Sequence, residues 1–394
     1  MLYVGIDVAK YKHDIAVIDE FGTIVLKHMQ IKNNQEGFYQ LHDWLSRAVE
    51  NPNDDIKIAL EDTGHYSRNI VMFLRANFYQ TFSYNPYLIK EFAKSVSLRK
   101  TKTDKKDALT IARKLASDTP TVHQMPAQEM DDLKFLTRHR DRLKRKLTDF
   151  KVQYVKVLDL IFPELDKIVN LKNKSTMALL EKYPTPAKIL RAQEASIYNI
   201  KSLKAVKASE IIKAAQTTVG NTSFALEFEL KQTLQAIQFL EKMMTEVNTQ
   251  IKDIMDKLDQ VITSVPGIST TLGSIILAEI RTIDNFRNCD QLLAFAGLEP
   301  SVNQSGQSEH SGKMVKRGST HLHWALLQAA EKTALYSPTF KRYLTKKLQQ
   351  GKHYNKDVPL HHELRTLQLQ GLAPRLPRYR SLRREDGGPA HSVP

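Results

Sequence analysis

At roughly 150 residues per domain, a chain of 394 residues has room for two to three domains. It has 41% hydrophobic and 26% charged residues, a mean hydropathy of -0.40 and no apolar run of about 18 residues, so a transmembrane helix is not expected. The opening MLYVGIDVAK lacks the basic and apolar regions of a secretory signal, and the single cysteine, Cys289, excludes an internal disulfide or a cysteine-built zinc site. These features point to the reducing cytoplasm.

The charge is the first functional signal. Lys and Arg total 58 against 43 acids, a formal charge of +15 and a pI near 9.5. That balance suggests a polyanionic partner, most often nucleic acid; a merely basic soluble protein is the plainer reading. The cations cluster. One group runs from Lys90 to Lys114 and includes Lys100, Lys102, Lys105 and Lys106; another runs from Lys134 to Lys146 and includes Arg138 and Arg142. Clustered cations on helices can neutralise successive phosphates.

In chain order, LYVGIDVA, HDIAVID (13–19) and TIVLKHMQI (23–31) predict three consecutive strands. NQEGFYQLHDWLSRA predicts a helix, KIALED (57–62) a strand, YSRNIVMFLRAN a helix, and QTFSYNP a strand broken at Pro86. LIKEFAKSV and DKKDALTIARKLASD predict two more helices. Three strands followed by alternating strands and helices is the order of a ribonuclease-H-like, RuvC-like α/β domain, assigned to residues 1–125.

Residues 126–260 predict a long helical coiled-coil region. From Leu136, apolar positions step by threes and fours to Ile161, and Pro163 stops that helix. Leu230, Ile237, Met244, Ile251 and Leu258 then recur every seven residues, with Leu240, Val247 and Ile254 as the second set. The partner is either the first helix, folded back, or a second protomer. Residues 261–356 predict a helical domain, with VPGISTTLGSIILAEI as a helix-hairpin-helix turning at Gly267. Residues 357–394 lack Lys, are rich in Arg and Pro, and are expected to be an atypical, disordered tail without chemistry.

Two constellations carry chemistry. Asp7 and Glu61 end predicted strands, and Asp104 and Asp107 share one helix face in KTDKKDA. Four acids drawn together repel unless a cation sits among them, and hard divalent ions take carboxylate oxygens. Singly, each acid also reads as a turn residue, a solvated strand end or a helix cap. The second constellation is Ser305 in a QSG loop between helical runs, followed by Lys313, Lys316 and Arg317. An exposed Ser among cations can be a nucleophile on phosphorus, whereas a Ser/Gly-rich surface loop is the commoner meaning, and Ser301, Ser308 and Ser311 compete. The amides after Gly267 can meet a phosphate at a helix start.

GIDVAK, LEDTG, KTDKKDA, VPGIS, FAGLEPSVNQSG and KRGSTHLHWAL, in this order over about residues 1–355, resemble the insertion-sequence-110 family of transposases, related to the Piv invertases. The resemblance implies a RuvC-like DEDD domain whose acids, Asp7, Glu61, Asp104 and Asp107, bind magnesium, and a transposase domain whose catalytic serine falls on Ser305. It implies an RNA-guided recombinase: an element-encoded bridge RNA pairs with donor and target DNA, and strands exchange through a phosphoserine intermediate. It also implies a homo-oligomer, a dimer or tetramer with a composite active site, acting in the bacterial or archaeal cytoplasm at the nucleoid. Two departures stand out: GSTHLH (Gly318 to His323) replaces the usual GN and LR, and the sequence from Asp357 onward no longer resembles the family. A water-using RuvC-like junction nuclease and a non-catalytic nucleic-acid scaffold remain alternatives. A sugar-kinase or actin-like ATPase shares the first-strand pattern, but such enzymes need Gly-rich phosphate loops and only 15 Gly occur.

Overall fold

The computed structural model describes residues 1–49, 55–61, 65–84, 86–96, 104–118, 128–258, 260–281, 283, 286, 288–298, 300–305, 308–314 and 318–350. Two compact units divide the chain, residues 1–125 and 126–394.

The N-terminal unit contains β1 (Leu2–Val8), β2 (Lys12–Asp19), β3 (Ile24–Lys32), α1 (Gln35–Ala48), β4 (Ile56–Glu61), α2 (Ser67–Ala76), β5 (Gln80–Tyr84), α3 (Pro86–Val96) and α4 (Asp104–Ser117). The strands form one five-stranded sheet in the order β3-β2-β1-β4-β5. β1, β2 and β3 pair antiparallel, and β4 and β5 run parallel to β1. The turn into β3 is built by Asp19, whose carboxylate accepts from the amides of Phe21 at 2.9 Å and Thr23 at 2.7 Å, while Gly22 takes φ +79. Asn34 caps α1 by accepting from the Gly37 amide.

Both faces of this sheet are covered, so β1 and β4 read as nearly continuous apolar runs and not as simple alternation. Val4, Ile6, Ile58 and Leu60 pack against Phe38 and Leu41 of α1 and Ile70 and Leu74 of α2. Ala59, Phe82 and Tyr84 face the opposite way, against Ile89 of α3 and Ile111 and Leu115 of α4. On this second face, Gly5 lies directly under α4. A Cβ there would meet the Ala108 carbonyl oxygen at 2.1 Å and the Ala112 nitrogen at 2.4 Å, both backbone atoms.

The C-terminal unit is organised by two long helices, α5 (Gln128–Ile161) and α11 (Phe224–Lys257). Lys151 meets Glu241 at 2.6 Å, Gln153 meets Glu229 at 2.8 Å and Arg140 meets Asn248 at 2.6 Å, so the pair is antiparallel. Of the two partners weighed for the heptad helix, the same chain supplies one. Between them, α6 (Leu165–Ile168), α7 (Lys174–Lys182), α8 (Pro186–Arg191), α9 (Glu194–Tyr198) and α10 (Ala205–Thr217) close one end around Tyr154, Ile161, Leu180, Ile211 and Ile237. At the other end, α12 (Thr270–Ile280), α13 (Cys289–Phe295), α14 (Thr320–Tyr336) and α15 (Pro338–Gln349) follow; Ile276, Leu277, Leu322 and Leu326 pack with Leu133, Leu143, Ile251 and Met255.

Two sequence expectations are corrected here. The C-terminal block is not purely helical: β6 (Pro300–Ser305) and β7 (Ser308–Met314) form an antiparallel two-stranded sheet, and Ser305 ends a strand where a loop between helices was expected. The segment before Gly267 is a 3-10 turn, Ile262–Ser264, not a full helix. Gly267 takes φ +94, and a Cβ there would meet the Lys332 carbonyl carbon at 2.6 Å and the Thr333 nitrogen at 2.7 Å. This glycine is therefore required by the approach of α14. The tail at 357–394 lies outside the described residues. Among the described residues no helix is long and apolar enough to cross a membrane.

The substitution Gly5→Ala tests the packing of α4. Because backbone atoms on both sides would have to move, the variant should lose about 2 kcal/mol or more of unfolding free energy. Chemical denaturation measures this; unchanged stability would show that α4 does not lie on β1 as closely as described.

Candidate active site

The acids are positioned by strand register. Gly5 pairs with Ala59 and Ile6 with Leu60 in the parallel β1–β4 ladder. Gly5 and Ala59 face α4, and side chains two residues apart share a face. Asp7 and Glu61 therefore stand on the α4 side at the ends of neighbouring strands. Asp107 directly precedes Ala108, whose carbonyl lies against Gly5, so a third acid is carried by the helix that covers this face. Asp7, Glu61 and Asp107 each have further interactions within the chain. Asp104 begins α4, and its side chain lies outside the described residues.

Sequence reasoning missed a member of this row. Asp14 of β2 lies directly opposite Asp7, and residues directly opposite across an antiparallel pair share a face. Asp14 is 3% exposed. It accepts from His28 Nε2 at 2.5 Å and Gln30 Nε2 at 3.0 Å, with Lys12 Nζ at 3.7 Å. Burial alone would raise its pKa, but the His28 and Gln30 hydrogen bonds and the Lys12 charge outweigh that and hold the carboxyl below its ordinary range. Counting the predicted β1–β2 hairpin back from its turn would have found Asp14.

The row thus places Asp14, Asp7 and Glu61 on successive strands, with Asp107 overhead. Carboxylate oxygens are the donors that a hard divalent ion takes, so the donor chemistry suits magnesium. Among the described residues, no group of three or more His, Cys, Asp and Glu is close enough to hold a metal ion.

Ser305 belongs to the C-terminal unit. It ends β6, opposite Ser308 of β7. Ser301 lies in β6, and Ser311 and Lys313 lie in β7. The side chains of Ser305, Lys313 and Lys105 lie outside the described residues, as do Gly306, Lys100, Lys102, Lys316 and Arg317 entirely. Lys106 and Arg142 are exposed.

Arg138, in contrast, is committed inside the unit. Its guanidinium forks the carboxylate of Glu279 on α12, at 2.8 and 3.1 Å. Glu279 is 2% exposed. It also accepts from Ser319 Oγ at 3.0 Å and lies 3.6 Å from Lys134. Ser319 is in turn the N-cap of α14. One buried carboxylate therefore ties α5, α12 and α14 together. Burial works against its charge, but Arg138, Lys134 and Ser319 more than compensate and hold its pKa below the ordinary glutamate value.

Comparison with known proteins identifies the family of both units. A family model described as transposase, the DEDD type of IS110, matches residues 4–163, and that of the IS116/IS110/IS902 transposase family matches residues 259–345. The chain belongs to the IS110 family of transposases. A mini-circle protein of Streptomyces coelicolor, named as a transposase for IS117, is 24% identical over 83% of this chain and 83% of its own length. The pilin gene-inverting protein of Moraxella bovis is 23% identical over 89% of this chain and 88% of its own, and that of Moraxella lacunata is 31% identical over 37% of this chain and 44% of its own. The function of this IS110-family transposase is thus DNA recombination.

Glu279→Gln tests the buried clamp. Removing the carboxylate strands the Arg138 and Lys134 charges and should cost on the order of 3 kcal/mol at neutral pH. Because the folded-state pKa lies below the ordinary 4.5, this contribution is complete above that value and disappears as pH falls through the lower folded value. Denaturation curves of parent and variant should therefore converge in acid; a gap that persists there contradicts the charge assignment.

Proposed function

We propose that this IS110-family transposase cleaves and rejoins DNA strands through a covalent bond to Ser305, guided by an element-encoded RNA, with Asp7, Glu61, Asp104 and Asp107 as ligands for magnesium. The observation that carries the reading is the acid row itself. Asp7 and Glu61 share one face at adjacent strand ends, Asp107 rides on the covering helix, and Asp14 adds a further buried charge beside them. Each of these acids also has partners within the chain, so the row supports the reading through its donor type and placement: carboxylate oxygens gathered on one face of the sheet are what a hard divalent ion takes. When bound, a divalent ion supplies charge neutralisation at the non-bridging oxygens of a phosphodiester.

The chain's own residues perform the remaining steps. Ser305 Oγ attacks phosphorus, the P–Oγ bond forms and the P–O3′ bond breaks. The serine gives up its proton, and the departing 3′ oxygen takes one up as a hydroxyl. The phosphoserine bond preserves the energy of the cleaved linkage, so rejoining by a new 3′ hydroxyl needs no nucleotide cofactor. Lys313, Lys316 and Arg317 are the cations nearest in sequence to Ser305 and are assigned to the phosphate backbone. Lys100, Lys102, Lys105 and Lys106 take that role around the acids, and Arg142 on α5, whereas Gly267 and Arg138 are assigned to packing first. A dimer or tetramer lets the acids of one protomer meet the serine of another.

Adduct trapping is the direct test. The protein, its element-derived RNA, labelled donor and target DNA and magnesium are combined and resolved on a denaturing gel. The expected result is a labelled band at the protein's mass, lost with Ser305→Ala. Asp7→Ala, Glu61→Ala and Asp107→Ala should reduce cleavage at least a hundredfold while RNA binding survives. Cleavage without an adduct would replace the serine mechanism by a water-using nuclease.

A further inference from the structure

In the C-terminal unit, α5 and the start of α14 enclose a groove of about 560 Å³. Arg140, Lys144 and Arg145 line it from α5, and His321 and Trp324 from α14. Its shape and chemistry are unlike a solvated helix face. Leu322, Ala325, Leu326 and Ala329 bury the other side of α14, which turns Trp324 outward, 43% exposed. A large apolar ring left at the surface of a charged groove is an informative exception. Lys144 Nζ lies 5.5 Å from the Trp324 ring centre, within cation–π distance.

The charges of the groove favour an anion. Arg140 donates to the neutral side chain of Asn248 and so keeps its full charge uncompensated by that contact. Arg145 pairs with Asp141 at 2.7 Å, and Asp149 is the other acid of the wall. Arg138, at the edge, is balanced by Glu279 beneath it. His321 sits beside Trp324 on the same helix face; burial, with the neighbouring Arg138 and Arg145 charges, lowers its pKa against the opposing pull of Glu279 and Asp141.

An exposed indole flanked by flexible cations is the arrangement that receives a base by stacking and its phosphates by charge. A base can offer its face only when it is unpaired, and a cavity of this size suits one nucleotide, not a duplex. We propose that this groove seats an unpaired nucleotide of a single-stranded nucleic acid, its base stacked on Trp324 and its flanking phosphates on Arg140 and Lys144. The proposal rests on the nucleic-acid reading above and adds to it a single-strand subsite outside the acids and Ser305.

The chain's two tryptophans, Trp44 and Trp324, make the test direct. In full-length Trp44→Phe protein, Trp324 is the only tryptophan, and its emission reports on stacking. Oligothymidylate of about 15 nucleotides, the matching uridine RNA, an abasic oligomer and a duplex are titrated while anisotropy of a labelled strand records binding. The expected result is quenching by single strands but not by the abasic oligomer or the duplex. Trp324→Ala should weaken single-strand binding about tenfold, and Trp324→Phe should restore most of it. Quenching by the DNA alone or the RNA alone identifies which strand the groove receives. Binding without quenching, or equal quenching by the abasic oligomer, overturns the stacking subsite and leaves the nucleic-acid reading standing. No binding of any strand overturns both. Unchanged circular dichroism and melting of the Trp324 variants separate a lost contact from a lost fold.

Discussion

The close approach of α4 to β1 is the constraint on which the acid site depends. It is possible only because Gly5 has no side chain: the backbone of Ala108 and Ala112 occupies the space a Cβ would take. A helix seated this deeply cannot slide along the strand without colliding with its neighbours, so the position of Asp107 relative to Asp7 and Glu61 is set by backbone contact. The acid row is thereby carried on regular elements and not on a loop, which limits how far its members can move relative to one another.

The C-terminal unit uses a different device for the same purpose. There the centre is a charge, the carboxylate of Glu279, held by two cations from α5 and by the hydroxyl that caps α14. A buried ionic cluster is seldom a more stabilising choice than apolar packing, but it is directional. It fixes the rotation of α5 and the entry angle of α14 together. Gly267 and Gly318 complete this arrangement by close backbone approach, Gly267 to α14 and Gly318 to the end of α13. The glycines of VPGIS and KRGS therefore have structural explanations that do not involve a ligand.

These two devices also explain what was legible in the sequence. The strands and helices of the N-terminal unit could be placed closely because apolar runs there are punctuated by Gly22, Asn34 and Pro86, each of which has a local mechanism. The long helices were legible from spacing and from Pro163. The β6–β7 hairpin was not: PSVNQS and SEHSGKM are polar, with no alternation to reveal a strand. Asp14 was hidden for another reason. It lies inside an apolar strand, and its meaning appears only when the strand is paired and it falls opposite Asp7. Arg138 was read with its neighbours as a phosphate ligand because composition records charge but not the partner, here 141 residues away.

The same distinction governs how the formal charge of +15 is understood. Arg138 and Lys134 answer Glu279, Arg281 answers Asp131, Lys151 answers Glu241, and Lys188 and Lys231 answer Glu227. These cations hold elements of the fold together, and recruiting them to a phosphate would expose a carboxylate at a cost. The attraction for a polyanion must come from those whose neighbours are neutral or solvent. On α5 these include Lys144 over Trp324 and the exposed Arg142, while Arg140 donates to the neutral Asn248 and shares the charge of Asp141 with Arg145. Arg140 and Lys144 are four residues apart and share a helix face. The helix thus divides its charges by direction: one face turns inward to build the unit, and the other faces the groove. The number of phosphates neutralised, and with it the salt dependence of binding, follows from that outward set and not from the total of 58 cations.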